Sequence, residues 1–302
     1  MSVRVGIVVL SWNGGERTHA CIDSALAQSH ENKFVVVVDN ASSSDERSVL
    51  QERYARHPLV RLLFLDENRG YAGGNNAGSA LALSNDAEMV LIATQDTFLY
   101  PDALALLVET AVAHPRVGIV GPLVLDSRSH RVLSAGERFS VGLLCVPRTL
   151  LRHRHTYPPA YPVSGVLGCV MLLTRDLLRV VGGFDEGLFA YYEEVDLCLR
   201  AHVQSFAIAC NPRAIVTHDG MRGFRSGLTP LSARLKTRNL LRLMRRYGRG
   251  RDWLLLAPTY ALLLAASAVL YAVRGRADIV TSLMHGLADG MAAPAGPNPP
   301  IQ

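Results

Sequence analysis

Apolar runs alternate with helix-like segments along the first two-thirds of the chain. "VRVGIVVLS" (3–11), "KFVVVVDN" (33–40), "VRLLFLDEN" (60–68) and "EMVLIATQD" (88–96) each read as a buried strand. The segments between them carry helical patterning: Glu16 to Gln28, Arg47 to Arg56, and Ala77 to Ser84 after a Gly/Asn-rich turn. "YPDALALLVETAVAHP" then predicts a helix with Pro101 in its first turn. Near-continuous Val/Ile/Leu strands joined by helices predict an α/β fold, with a mostly parallel sheet covered by helices on both faces. Residues 115–165 are less regular, with short strands (Val117–Val124, Arg131–Leu133) and a Pro/His/Arg/Tyr-rich loop (Arg148–Pro162). "SGVLGCVMLLTRDLLRVVGGFDE" returns to a strand and a helix, and "AIACNPRAIVTHDG" gives a last strand with His218 near its end.

In a sheet of this kind the ligand lies beyond the carboxyl ends of the strands. Those ends are Ser11–Asn13, Asp39–Ser43, Asn68–Asn76 and Thr94–Asp96, all rich in Asn, Asp, Ser, Thr or Gly. Asp39 and Asn40 suit an Asx-type turn as well as hydrogen bonds to a nucleotide. "NRGYAGGNNAG" (68–78) departs from GxGxxG, so it is no dinucleotide fingerprint. Its glycines still suit close approach to a phosphate or sugar, or a plain turn. Asp96 suits Mg²⁺ or Mn²⁺ bridging diphosphate oxygens, or the cap of a following turn. His218 reads as a metal or phosphate ligand, or as a satisfied structural histidine.

After Pro230 the pattern changes. "LSARLKTRNLLRLMRRYGR" predicts a helix whose apolar stripe (Leu235, Leu240, Leu241, Met244) opposes arginines. "WLLLAPTYALLLAASAVLYAV" (253–273) follows, 21 residues without a charge. As a helix it spans about 30 Å, the thickness of a bilayer core, and it also suits a buried helix or a hairpin broken near Pro258. It is flanked by Arg249, Arg251, Arg274 and Arg276, and "AAPAGPNPPIQ" reads as a disordered tail. The expected division is therefore a domain over 1–228, membrane-associated helices over 229–290 and a tail over 291–302.

The 302 residues are 49% hydrophobic and 19% charged, which supports a sizeable core and excludes global disorder. The net charge of +5 is concentrated between Arg222 and Arg251, where ten basic residues stand without an acid. Such a run suits anionic lipid, nucleic acid or a polyphosphate ligand. It lacks interleaved aromatics, and its apolar stripe points to lipid, so no nucleic-acid partner is expected. Five scattered cysteines without CxxC spacing point to a reducing compartment and away from a zinc site. The N-terminus runs directly into a strand, so no signal peptide is expected.

"FAYYEEVDLCLR" (189–200) places Glu193, Glu194 and Asp196 within four positions. Alone, the cluster suits a solvated first turn, where acids favour the helix dipole. Its neighbours change that reading. "VVLSWNGGERTHACIDSALAQ", "VVVVDNASSSD", "NRGYAGGNNAG", the "TQD" strand end, "GCVMLLTRDLLRVVGGFDEGLFAYYEEVDLCLRA" and "VTHDG" run in this order. Over about residues 3–220 they resemble glycosyltransferase family 2, inverting enzymes of the Rossmann-like GT-A fold, and most closely its bacterial rhamnosyltransferase-like branch.

The resemblance implies roles. Ser11, Trp12 and Asn13 would line the nucleotide pocket, with Asp39 on the base and Asn40 and Gln95 beside it. Gly70, the neighbouring glycines, Asn75 and Asn76 would face the donor sugar and phosphates. Asp96 falls on the last acid of the family's DxD-like metal triplet, whose first acid is Thr94 here. A Mg²⁺ or Mn²⁺ ion would then rest on Asp96 with help from His218. Asp185 or Glu186 would bind the acceptor. Glu194 aligns with the general base, usually Asp, and Glu193 is the second candidate. Asp196 is expected to pair with Arg200 one turn on.

The resemblance implies transfer of a sugar, rhamnose or another deoxyhexose, from a nucleoside-diphosphate donor. The acceptor would be lipid-linked or a cell-surface polysaccharide, reached at the cytoplasmic face of a bacterial membrane. Two other readings stay open. One is a catalytically impaired nucleotide-sugar-binding relative or scaffold, motivated by Thr94 and Glu194. The other is a nucleotidyltransferase, disfavoured because "SWNGGERTH" offers only Arg17 for a phosphate loop.

Overall fold

The computed structural model describes residues 2–138, 148–149, 159–219 and 227–292. Cys145, Arg222, Arg225, most of the 148–162 loop and the tail past Ala292 lie outside them.

Strands β1 (Val5–Ser11), β2 (Lys33–Asp39), β3 (Val60–Phe64) and β4 (Met89–Thr94) form the parallel half of a ten-stranded sheet. Helices α1 (Glu16–Leu26), α2 (Ser44–Tyr54) and α3 (Gly70–Ser84) connect them. A short β5 (Thr97–Leu99) and α4 (Ala103–Ala113) lead to β6 (Val117–Asp126), followed by β7 (Val132–Ser134), β8 (Glu137–Arg138), β9 (Arg148–Thr149) and β10 (Tyr161–Pro162). Strand β11 (Val170–Thr174) lies antiparallel between β4 and β6. It leads to α5 (Arg175–Val181), α6 (Glu193–Val203) and β12 (Ala207–His218), which is parallel to β6. The sheet is thus mixed rather than parallel throughout. Because β11 runs backwards, its start at Val170 meets the carboxyl ends of β1, β2, β4 and β12 along one edge.

Alternating strand residues explain the two-faced core. Val5, Ile7 and Val9 pack with Ile22, Leu50 and Leu104 from α1, α2 and α4. Val8 and Leu10 pack with Ala72, Leu177 and Leu197 from α3, α5 and α6. Each such fully buried aliphatic side chain contributes about 1.5–3 kcal/mol.

The Gly/Asn-rich stretch expected as a turn is helix from Gly70 onward. A Cβ on Gly74 would stand 2.4 Å from Leu10 Cδ1, and one on Gly78 would stand 2.4 Å from Val8 Cγ1. These glycines let α3 lie close on β1. That packing offsets the roughly 1 kcal/mol each costs within a helix.

Three C-terminal helices follow: α7 (Pro230–Tyr247), α8 (Gly250–Val273) and α9 (Ala277–Met291). Thr229 and Ser232 form a capping box on α7, with Pro230 in its first turn. Gly286 and Gly290 of α9 let it approach the α7 backbone, since a Cβ on Gly286 would meet the Arg234 carbonyl at 2.5 Å. Helix α8 is long and apolar enough to cross a membrane, and Leu254, Leu262, Val269 and Val273 on it are exposed. The arginine face of α7 departs from expectation. Arg238, Arg242 and Arg246 turn toward the 185–196 segment of the α/β body rather than to a lipid surface.

Candidate active site

The ends of β1, β2 and β4 are stitched together by side chains. Ser11 is buried and shares a 2.9 Å hydrogen bond with Thr18. Trp12 is 53% exposed, and Gln95 clasps its backbone. Gln95 Oε1 accepts from the Trp12 N–H at 2.6 Å and Nε2 donates to the Trp12 carbonyl at 3.3 Å. Asn13 adopts a left-handed φ of 48°, which its side chain tolerates. Its N–H donates to Ser42 Oγ and its Oδ1 accepts from the Ser43 N–H, each at 2.9 Å.

Asp39 ends β2 and is 1% exposed. Oδ2 accepts from Arg47 Nε at 2.7 Å and from the Ser42 N–H at 3.2 Å. Oδ1 is buried with no partner among the described residues. An unmet buried acceptor costs roughly 1–3 kcal/mol or more, so Asp39 offers an acceptor for a ligand's N–H.

Of three residues expected on the donor, Asn40 and Asn76 are committed elsewhere and Asn75 in part. Asn40 donates to Asn68 Oδ1 and the Gly70 carbonyl, and accepts from the Arg69 N–H. Asn76 donates to the Phe184 carbonyl and Glu186 Oε1, and accepts from the Phe184 N–H. Asn75 is fully buried and donates to the Tyr71 carbonyl, while its Oδ1 lacks a partner. Gly70 has a positive φ of 68° and abuts Phe189, where a Cβ would stand 2.4 Å from the carbonyl oxygen. It serves a close backbone approach within the chain rather than to a phosphate.

Asp96 and His218 do come together. Thr97 pairs with His218 across β5 and β12, which brings His218 Nε2 to 3.2 Å from Asp96 Oδ1. Burial pushes the Asp96 carboxyl up, but the hydrogen bond and charge of His218 outweigh it and hold it below its ordinary value. Both side chains remain partly exposed.

Across β11, Glu193 and Glu194 open α6, where the helix dipole favours acids. Glu194 lies against Gly168, whose added Cβ would stand 3.2 Å from Glu194 Cβ. The Tyr71 hydroxyl donates to the Gly168 carbonyl and so fixes that wall. Burial, then the neighbouring Glu194, push the Glu193 carboxyl well above its ordinary value, and its Oε2 has no partner. Burial raises Glu194 too, with Glu137 adding repulsion. The Cys169 thiol is pushed up by burial, then by Asp96 and Glu194, and its carbonyl accepts from the Thr94 N–H at 2.9 Å, which ties this segment to the end of β4.

The other acids are neutralised. Asp196 is fully buried and accepts from Arg200 Nε at 2.7 Å, the expected pair one turn apart, and from Arg246 Nη1 at 2.7 Å. Asp185, expected to bind the acceptor, is 1% exposed. Its oxygens accept from the Gly187 N–H at 2.9 Å and from Arg246 Nη2 at 2.8 Å. Glu186 pairs with Arg69 at 2.8 Å and is partly exposed.

Sequence reasoning missed Glu137. It is 6% exposed, accepts from Ser134 Oγ at 2.6 Å and keeps Oε2 unpaired. Nothing in "LSAGERF" singles it out, because a bridge to Gly165 brings it in. Arg246 was legible only as one of a basic run.

Residues 6–181 match the profile of Glycosyl transferase family 2. A Mycobacterium tuberculosis relative named N-acetylglucosaminyl-diphospho-decaprenol L-rhamnosyltransferase is 28% identical over 232 residues, 70% of this chain and 75% of its own. Among solved structures, GalNAc-T7 with UDP, GalNAc and Mn²⁺ superposes with a TM-score of 0.67 at 13% identity, covering 84% of this chain. This chain spans 50% of that one. The mannosyltransferase PcManGT from Pyrobaculum calidifontis, in complex with GDP-Man and Mn²⁺, superposes with a TM-score of 0.55 at 18% identity over 97% of this chain and 88% of its own. With its mixed sheet, its polar strand ends and a family match over more than half its length, this chain belongs to glycosyl transferase family 2 and is a glycosyltransferase of GT-A fold.

Proposed function

We propose that the protein is an inverting, membrane-associated transferase that moves rhamnose or a similar deoxyhexose from a nucleoside-diphosphate donor to a lipid-linked polysaccharide precursor. The observation that carries this reading is the link through residues 168 and 169: the Cys169 carbonyl accepts from the Thr94 N–H at 2.9 Å, two residues before Asp96, and Gly168 abuts Glu194. An in-line displacement needs a charge-neutralising group at the leaving diphosphate and a base on the opposite side.

Asp39 Oδ1 receives an N–H of the donor base, and Trp12 forms the exposed rim beside it. Asp96 and His218 fit a divalent cation. Their donor atoms stand 3.2 Å apart, and neighbouring ligands of an octahedral ion with bonds of 2.0–2.1 Å lie about 3 Å apart. No group of three His, Cys, Asp or Glu side chains occurs among the described residues. Asp96 and His218 are therefore the residues that would hold the ion. When bound, Mg²⁺ or Mn²⁺ neutralises the diphosphate as it leaves.

Glu194, ionised, takes the proton of the acceptor hydroxyl while that oxygen bonds to the anomeric carbon. The bond to the diphosphate oxygen breaks on the far side, which inverts the anomeric configuration. Glu137 repels a charge on Glu194 and so raises the basicity of that carboxylate. The exposed apolar length of α8 supports attachment to the cytoplasmic face of a membrane, where a lipid-linked acceptor is available.

Thermal shift with a panel of nucleotide sugars, with and without Mn²⁺, tests the donor reading. A metal-dependent stabilisation by dTDP-rhamnose is expected. Stabilisation by a different sugar nucleotide alone contradicts the rhamnose assignment. Donor binding without transfer to any polyprenyl-linked acceptor favours the impaired-relative reading.

A further inference from the structure

The segment that delivers Glu193 and Glu194 does not follow an ordinary backbone path. Phe189 has φ 65° and ψ −61°, and the Ala190 N–H donates to the Leu188 carbonyl at 2.8 Å. This is a γ-turn of the rare, strained hand. Tyr191 and Tyr192 follow with φ of 72° and 71°, left-handed values that aromatic residues seldom adopt. Such a path persists only when the surroundings over-determine it.

Those surroundings are supplied by α7, which lies far along the chain. Asn239, fully buried, places Nδ2 within 2.8–2.9 Å of the carbonyls of Leu188, Ala190 and Tyr191, which share its two N–H donors. Arg238 Nη2 donates to the carbonyls of Gly187 and Leu188 at 3.0 and 2.8 Å. Arg242 Nη1 donates to the Gly187 carbonyl at 3.0 Å. Arg246 joins the two ends of the segment, with Nη2 on Asp185 and Nη1 on Asp196. On the opposite side the Ala72 N–H of α3 donates to the Phe189 carbonyl at 3.1 Å. A helix whose basic face suited a lipid surface thus supplies one jaw of a clamp on the segment before the acidic pair.

We propose that Asn239 and Arg246 are positioning residues for sugar transfer, holding residues 185–192 in the conformation that presents Glu194 to the acceptor. The inference rests on the preceding reading of Glu194 as the base. It adds α7 to the machinery that sets the geometry of that base. The hydrogen bonds of Asn239 to carbonyls 188–191 and of Arg246 to Asp185 and Asp196 serve this segment, so their loss should spare donor binding.

The test compares Asn239→Ala, Arg246→Ala and Arg246→Lys with the wild-type full chain by steady-state transfer and by amide hydrogen exchange. In Asn239→Ala and Arg246→Ala, kcat should fall by about 100-fold while donor KM stays within about two-fold. Arg246→Lys, which keeps the charge, should recover part of the loss. Exchange should quicken at residues 188–195 and stay unchanged at residues 35–42. Retained kcat overturns the proposal. So does a parallel loss of kcat and donor affinity with faster exchange throughout β1 and β2, since that marks a general stability role. If wild type transfers no sugar, the preceding reading fails. The exchange data then decide this one, and unchanged exchange at 188–195 in both alanine variants overturns it.

Discussion

Nε2 of His218 lies 3.2 Å from Oδ1 of Asp96, although one residue ends the last strand of the sheet and the other follows the fourth. The antiparallel pairing of Thr97 with His218 makes the meeting obligatory once β5 and β12 align. In the proposed function this carboxylate and imidazole would hold the divalent ion.

The first prediction follows from that pair. Asp96→Ala should lower turnover on the order of 10²–10³-fold and abolish any Mn²⁺-dependent thermal shift in the presence of donor. His218→Ala should weaken apparent metal affinity by roughly 10–100-fold, with activity restored at higher Mn²⁺. Metal titrations of donor-loaded protein measure both.

The second concerns pH. A base must be ionised, and burial together with Glu137 raises the carboxyl of Glu194, so kcat/KM should fall on acidification at higher pH than for an ordinary glutamate. Glu137→Gln removes one repelling charge. The acid limb should then move to lower pH, because Glu194 loses its proton more readily. A limb that stays in place shows that Glu137 does not reach the base.

The third concerns stability. Glu193 is buried, and its folded-state carboxyl is raised well above the ordinary value of 4.5. A group raised in the folded state contributes stability below its unfolded value, which is lost as pH rises through the folded one. Glu193→Gln should therefore raise Tm near neutral pH, and the gain should vanish on acidification toward 4.5. Melting curves across that range test the sign.

The sequence carried the parallel half of the sheet and the polar strand ends because both are local. Val/Ile/Leu runs and Asn/Asp/Ser/Gly ends are set by the segments that contain them. It misled where tertiary packing decides. The glycines of α3 read as a turn because helix propensity disfavours them, yet their missing side chains let that helix settle on Val8 and Leu10. Asp185 read as exposed chemistry because its partner, Arg246, is distant in sequence. For α7 only a basic helix was legible, because the partners of Asn239, Arg242 and Arg246 lie on a segment distant in sequence.

The α3 contact gives a fourth prediction. Gly78→Ala would bring a methyl 2.4 Å from Val8 Cγ1 and 2.7 Å from Val38 Cγ2. Overpacking there should destabilise by about 1–3 kcal/mol, read as a lower denaturation midpoint at unchanged m-value.

The most direct test of the catalytic reading is the turnover of Glu194→Gln, which keeps side-chain size and hydrogen bonding and removes the base. Transfer of labelled sugar to a polyprenyl-diphosphate-linked acceptor should fall on the order of 10²–10⁴-fold, with donor affinity unchanged and the wild-type product inverted at the anomeric carbon. Transfer by Glu194→Gln within a few-fold of wild type, or a wild-type product that retains the donor's configuration, would contradict it.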